Sequence, residues 1–148
     1  MKYFAYGSNM SVEQMKSRGC FDSRFVGIAK LDGYDLVFCG QSPNWEMKGT
    51  ANLSRLKNGY VWGALFEASE DCLKKLDVFE HVPKRRKREA VVVKDMNGTE
   101  HTAIVYILKT DLEINQPSKA YFNRVIEGAK QIGLPDDYIN NIDKQKRP

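Results

Sequence analysis

A chain of 148 residues is long enough to bury a real core, and one domain spanning residues 1–148 is the expectation. Hydrophobic residues make up 42% and charged residues 28%, the composition of an ordinary soluble globular protein, and no apolar run approaches the length of a membrane-crossing helix. The net charge is +4, with much of the basic excess in Lys84-Arg85-Arg86-Lys87-Arg88. That run lacks aromatic interleaving and any nucleic-acid motif, so it reads as a solvated loop and nucleic acid is not an expected partner. Met1-Lys2 leads into only four apolar or aromatic residues before Gly7, too few for the core of a signal peptide, and a cytoplasmic location is expected. Cys20, Cys39 and Cys72 are an odd, scattered set, which argues for reduced, packed thiols rather than a disulfide framework. With only His81 and His101 beside them, no metal site is expected.

In chain order, Lys2–Tyr6 reads as a short buried strand. Ser11 and Gln14 have capping-box spacing, which starts a helix at Val12. Arg24–Leu31 and Tyr34–Cys39 read as two strands joined by a hairpin at Asp32-Gly33. Gln41–Lys48 is polar, contains Pro43 and reads as a loop. Thr50–Leu53 and Tyr60–Glu67 flank Asn58-Gly59, a second hairpin signal. Ser69 caps a helix whose first turn carries Glu70 and Asp71 and which runs to about Phe79. Glu89–Lys94 and His101–Leu108 are strands around Asn97-Gly98. Ser118 caps a longer helix with Phe122, Val125, Ile126, Ala129 and Ile132 on one buried face, ended by Gly133. A short helix follows from Asp136, and Lys144–Pro148 are expected to fray. Tight Asn-Gly and Asp-Gly turns favour antiparallel pairing, so the fold class is α+β, with a twisted or barrel-like sheet flanked by helices.

Two stretches carry chemistry. The first is Tyr6-Gly7-Ser8-Asn9, between the first strand and the first helix. Gly7 permits close backbone approach, and Ser8 and Asn9 add short polar groups beside a helix start, a setting for a carboxylate or an oxyanion. A plain strand-to-helix turn has the same composition, and the residues alone leave both readings open. The second is "LKKLDVFEHVP". Leu73, Leu76 and Glu80 lie at i, i+3 and i+7, so a helix reaching Glu80 places its carboxylate on the apolar face. Burial would raise such a carboxyl toward the range useful for proton transfer, while the cations from Lys84 onward would lower it. If the helix ends earlier, Glu80 sits in water beside Lys84.

Taken together, "FAYGSNM", "YVWGALFE", "LDVFEHVP" and "YFNRVIEGAKQIGLPDDYINNI" resemble, in order and spacing over nearly the whole chain, the γ-glutamylcyclotransferase family. The Gly-Leu-Pro exit of the long helix resembles that branch more than the shorter γ-glutamylamine cyclotransferases. The resemblance implies a small mixed barrel with flanking helices, a cavity at its mouth, and neither metal nor cofactor. It implies a reaction in which a γ-glutamyl amide becomes 5-oxoproline and a free amine. By the same resemblance Glu80 is the acid and base, Tyr6, Gly7, Ser8 and Asn9 form the substrate loop, and Tyr106 lines the pocket. Two departures from the family pattern stand out. His81 stands where glycine commonly follows the glutamate, and Arg86 and Lys87 stand where many members place a tyrosine. Arg86 is thereby a candidate to close the pocket or to bind a second substrate carboxylate. The implied partner is a small γ-glutamyl molecule, not a membrane, and a homodimer is compatible with the reading. Two alternatives share the fold: an enzyme that removes a γ-glutamyl group from a biosynthetic or amine conjugate, and a non-catalytic binding protein that keeps the cavity.

Overall fold

Residues 1–109 and 113–148 are described by a computed structural model. The first strand, β1, spans Lys2–Ala5 and ends in a single turn of 3-10 helix, Ser8–Met10. Helix α1 follows at Val12–Ser17, with the Ser11 hydroxyl accepting from the Gln14 N–H as the capping spacing predicts. Two long strands come next, β2 at Arg24–Ser42 and β3 at Lys48–Glu67, then helix α2 at Glu70–Phe79. The chain continues as β4 (Arg86–Asp95), β5 (Glu100–Leu108), α3 (Lys119–Ile132) and α4 (Asp136–Lys146). The five strands close into a barrel in the order β1-β3-β2-β4-β5. All pairs are antiparallel except β1 with β5, which meet in parallel at Tyr3 and Ile104. The α+β, barrel-like class expected from the sequence is the class observed.

The two central hairpins expected at Asp32-Gly33 and Asn58-Gly59 are not hairpins. Each dipeptide lies inside one continuous strand, and the two face each other: Asp32 pairs with Tyr60 and Tyr34 with Arg55. Gly33 therefore bulges out of β2 opposite a larger bulge, Leu56–Gly59, in β3. Both contain a left-handed residue, Gly33 at φ 86° and Asn58 at φ 64°. A left-handed backbone serves a bulge as well as a reversal. Here the breakers are in register, so the ribbon bends without turning back. The reversal itself comes at Pro43–Met47, inside the expected loop, where Glu46 and Met47 take φ of 58° and 59°. The Asn97-Gly98 hairpin forms between β4 and β5 as expected.

The thiol reading is also corrected. Cys20 and Cys72 form a disulfide across 52 residues of sequence, with Cα atoms 4.9 Å apart. Cys20 lies just past α1 and Cys72 in the first turn of α2, a proximity that the folded arrangement creates and linear spacing does not show. Cys39, the third cysteine, is buried.

The core fills the barrel with Phe4, Val61, Leu65, Phe66, Val93 and Val105, and continues under the helices through Met15, Leu73, Leu76, Phe122 and Val125. The expected apolar face of α3 is buried, with Ile132 packed partly exposed at its end. Gly128 lets α3 press onto the segment behind β1, since a Cβ there would stand 3.0 Å from the Ser11 nitrogen. At the end of α3, Gly133 takes φ 79° and closes the helix. Residues 113–116 run beside the β2–β3 ribbon, held by the Asn115 N–H to the Phe38 carbonyl and the Gly49 N–H to the Gln116 carbonyl. The C-terminal helix continues through Lys144 to Lys146, further than the fraying expected there. No helix among the described residues is long and apolar enough to cross a membrane.

Candidate active site

One end of the barrel opens into a cleft. Its walls come from distant parts of the chain: Tyr3 in β1, Tyr6–Asn9 behind it, Arg18 after α1, Asn44 and Trp45 in the β2–β3 turn, Glu80, Arg85 and Arg86. Every residue singled out in the sequence, namely Tyr6, Gly7, Ser8, Asn9, Glu80, Arg86 and Tyr106, lines this one cleft.

Glu80 occupies the C-cap of α2, one residue past the end of the helix, and its N–H still bonds the Leu76 carbonyl. The leucine face thus carries it to the cleft even though the helix proper stops at Phe79. Its side chain is 18% exposed, not in bulk water beside Lys84. The two carboxylate oxygens face different neighbours. Oε1 lies 3.4 Å from Asn9 Nδ2 and 3.6 Å from an Arg18 guanidinium nitrogen. Oε2 lies 3.0 Å from Arg86 Nε. That N–H is not aligned for a hydrogen bond, so the contact is an ion pair rather than a directed bond.

Arg86 corrects the view of the basic run as a solvated loop. Its side chain is 5% exposed and donates to Thr50 Oγ1 at 2.8 Å and to the Ala51 carbonyl at 3.1 Å. The pattern has a simple cause. Arg86 opens β4 on the barrel's inner face, and strand alternation sends Lys87 outward and exposed. Arg88 returns to grip Asp77 and Glu70 of α2. Burial works against the Arg86 charge, but Glu80 and then Tyr6 and Tyr121 favour it, and the balance holds the guanidinium above its ordinary value.

The Tyr6–Asn9 segment is tied down from behind. Gln14 Nε2 donates to Ser8 Oγ and to Asn9 Oδ1, the latter at 2.9 Å. Arg18 adds a second donor to Asn9 Oδ1 at 3.1 Å, and Asn9 Nδ2 in turn donates to the Tyr3 hydroxyl at 3.0 Å. The Met10 and Ser11 N–H groups bond the Gly7 and Ser8 carbonyls. No such bond takes up the N–H groups of Gly7, Ser8 and Asn9 among the described residues, as at the start of any helical turn. Tyr6 donates its hydroxyl to the Tyr106 carbonyl, and Tyr106 donates to the Leu73 carbonyl and Asp77. Burial pushes the phenols of Tyr3, Tyr6, Tyr106 and Tyr121 upward. These tyrosines are neutral hydrogen-bonding walls and poor proton acceptors, which leaves Glu80 as the one carboxylate in the lining among the described residues. The described residues contain no cluster of three or more His, Cys, Asp or Glu able to hold a metal.

Sequence reasoning missed Tyr3, Arg18, Trp45, Thr50 and Tyr121. A signal existed for Arg18: it stands four residues after Gln14, at the C-cap of α1, and both side chains donate to Asn9 Oδ1. Trp45 and Tyr121 meet edge to face at 5.0 Å across 76 residues, a contact that no local pattern encodes. Asn44 then ties this turn to α2 by donating to the Phe79 carbonyl at 2.9 Å.

His81 explains itself in the backbone. Its φ is 55°, a left-handed position that glycine takes without steric cost. A glycine in that place and a histidine here therefore serve the same bend after the carboxylate. His81→Gly is expected to raise stability, by up to about 1 kcal/mol, in a chemical-denaturation midpoint. A clear loss of stability would show that the imidazole packing outweighs the backbone cost.

The sequence profile of the AIG2-like family matches residues 60–142. The γ-glutamylcyclotransferase of Homo sapiens is 32% identical over 146 residues, which span 95% of this chain and 76% of that protein. The γ-glutamylcyclotransferase of Bos taurus is 31% identical over 149 residues, spanning 95% and 78%. A solved structure named γ-glutamyl cyclotransferase superposes with a TM-score of 0.92 at 29% identity, covering 100% of this chain and 88% of that one. YkqA from Bacillus subtilis superposes at 0.86 with 21% identity, over 99% of this chain and 54% of that one, and shares the fold. The chain belongs to the AIG2-like family and, within it, to the γ-glutamylcyclotransferases, which are enzymes.

Proposed function

We propose that the protein converts a γ-glutamyl amino acid or a related γ-glutamyl amide into 5-oxoproline and the free amine, with Glu80 as acid and base. The observation that supports this most strongly is the position of Glu80: the one carboxylate in the cleft among the described residues, beside the segment in which the N–H groups of Gly7, Ser8 and Asn9 make no backbone hydrogen bond. The substrate carries its own nucleophile. Its α-nitrogen must reach its own γ-carbonyl carbon, so holding the chain curled supplies much of the rate enhancement.

The loop N–H groups of Gly7, Ser8 and Asn9 hold the α-carboxylate, or the oxyanion that develops at the γ-carbon. The Glu80 carboxylate takes a proton from the α-ammonium, and the freed amine attacks the γ-carbonyl to form the ring C–N bond. As the old amide C–N bond breaks, Glu80 gives that proton to the departing nitrogen, takes the second proton from the ring nitrogen and passes it to the released amine, leaving the neutral lactam and an ammonium product. Ser8 is a binding group and not a nucleophile, since its hydroxyl already accepts from Gln14. Arg86 and Arg18 keep the carboxylate in place between these two transfers.

The test is to incubate the protein with a panel of γ-glutamyl amino acids, γ-glutamyl alkylamides and γ-glutamyl isopeptides and to quantify 5-oxoproline. At least one compound is expected to give stoichiometric lactam and amine. No lactam from any of them would contradict the proposal.

A further inference from the structure

Arg85 has no place in the mechanism above, yet it lines the same cleft. Its Nη2 is sealed from solvent and has no hydrogen-bond partner, and no ion pair joins it to an acid among the described residues. Buried guanidinium donors are rarely left in this state without a reason. Burial first, and the neighbouring Arg86 second, draw Arg85 below its ordinary value, so the protein pays to keep a cation there. Its backbone is pinned on both sides, by its own N–H to the His81 carbonyl at 2.8 Å and by the Lys109 N–H to its carbonyl at 3.1 Å. The side chain also borders a second depression, lined by Gly40, Gln41, Glu113, Ile114 and Asn115.

Glu80 separates two sides of the cleft. Its Oε1 faces Asn9 and Arg18 on the substrate-loop side, and its Oε2 faces Arg86 on the β4 side. With the α-carboxylate at the loop and the scissile amide at Glu80, the departing part of the substrate extends toward the start of β4, which Arg85 directly precedes. Charge is consistent with this. Among the described residues the lining holds Arg18, Arg85 and Arg86 against Glu80, and Arg18 and Arg86 both face Glu80 while Arg85 does not. With its α-ammonium counted, a γ-glutamyl alkylamide is neutral overall and a γ-glutamyl amino acid carries one net negative charge.

We infer that Arg85 is the specificity residue for the leaving group: it binds the carboxylate of the departing amino acid, across the scissile amide from the Tyr6–Asn9 loop. The inference rests on the cyclotransferase reading and narrows it to substrates whose leaving amine is anionic at its far end. Arg85 is not a catalytic residue, because it does not touch the reacting atoms.

The experiment compares kcat/KM for γ-glutamyl-alanine and γ-glutamyl-ethylamide, which differ only by that carboxylate, with 5-oxoproline as the readout. The wild-type protein is expected to favour γ-glutamyl-alanine by roughly ten- to hundred-fold, the range of a charge-assisted contact. Arg85→Gln is expected to bring the ratio close to one, and Arg85→Lys to retain part of it. A ratio is insensitive to the fraction of active protein, so partial misfolding does not blur it. A wild-type ratio near one, or an unchanged ratio in Arg85→Gln, would overturn the inference while leaving the cyclotransferase reading standing. If Arg85→Gln does not fold, wild-type turnover of γ-glutamyl-alaninamide decides: it should fall to the ethylamide level, and turnover equal to γ-glutamyl-alanine would overturn the inference. 5-Oxoproline from none of the three would instead remove the activity on which the inference depends.

Discussion

Replacing Glu80 with glutamine is expected to lower kcat by about a hundred- to ten-thousand-fold, the usual weight of one general acid and base. KM should change far less if, as proposed, the substrate's α-carboxylate is held by the loop and not by Glu80. Glutamine keeps the size of the side chain and can still accept from Asn9, but it cannot take a proton from the α-ammonium. It also leaves Arg86 facing a neutral amide. Arg86 retains Thr50 Oγ1 and the Ala51 carbonyl as acceptors, so the stability cost should be on the order of 1–3 kcal/mol. The variant should therefore remain folded by circular dichroism while losing turnover. Full turnover in Glu80→Gln would require the proton shuttle to be assigned elsewhere, and the buried, upward-shifted tyrosines offer no substitute.

Arg86→Met is expected to have the larger effect on stability. It removes one partner of an almost buried ion pair and strands the Thr50 hydroxyl and the Ala51 carbonyl. Breaking such a pair from one side costs roughly 3–5 kcal/mol, and the lower end applies here because Arg18 still faces Glu80. A double-mutant cycle isolates the pair. Glu80→Gln combined with Arg86→Met should cost less than the two single changes added together, with a coupling of about 1–3 kcal/mol in urea unfolding. Strict additivity would show that Arg86 supports the barrel through Thr50 and Ala51 alone and has no hold on the carboxylate.

The features legible in the sequence were local ones. Ser11, Ser69 and Ser118 each cap the helix expected of them, because capping is decided within three residues. Gly133 and the Asn97-Gly98 turn behaved the same way. The spacing of Leu73, Leu76 and Glu80 placed the carboxylate on the correct face although the helix ends one residue short of it. What stayed hidden depended on contacts between distant segments. Gly33 and Asn58 each look like a hairpin, and only their mutual register turns them into opposed bulges. Cys20 and Cys72 come together only once α1 and α2 are docked. The basic run from Lys84 to Arg88 reads as a solvated patch until strand alternation is applied to it, which buries Arg86 and frees Lys87. His81 departs from a glycine pattern in identity but keeps its backbone angle.

A crystal structure of the protein soaked with 5-oxoproline tests the central claim most directly. The lactam should lie in the cleft with its carboxylate on the N–H groups of Gly7, Ser8 and Asn9 and its ring nitrogen within hydrogen-bonding distance of a Glu80 carboxylate oxygen. Lactam bound away from this cleft, or a Glu80 side chain swung out of reach of the ring nitrogen, would contradict the account.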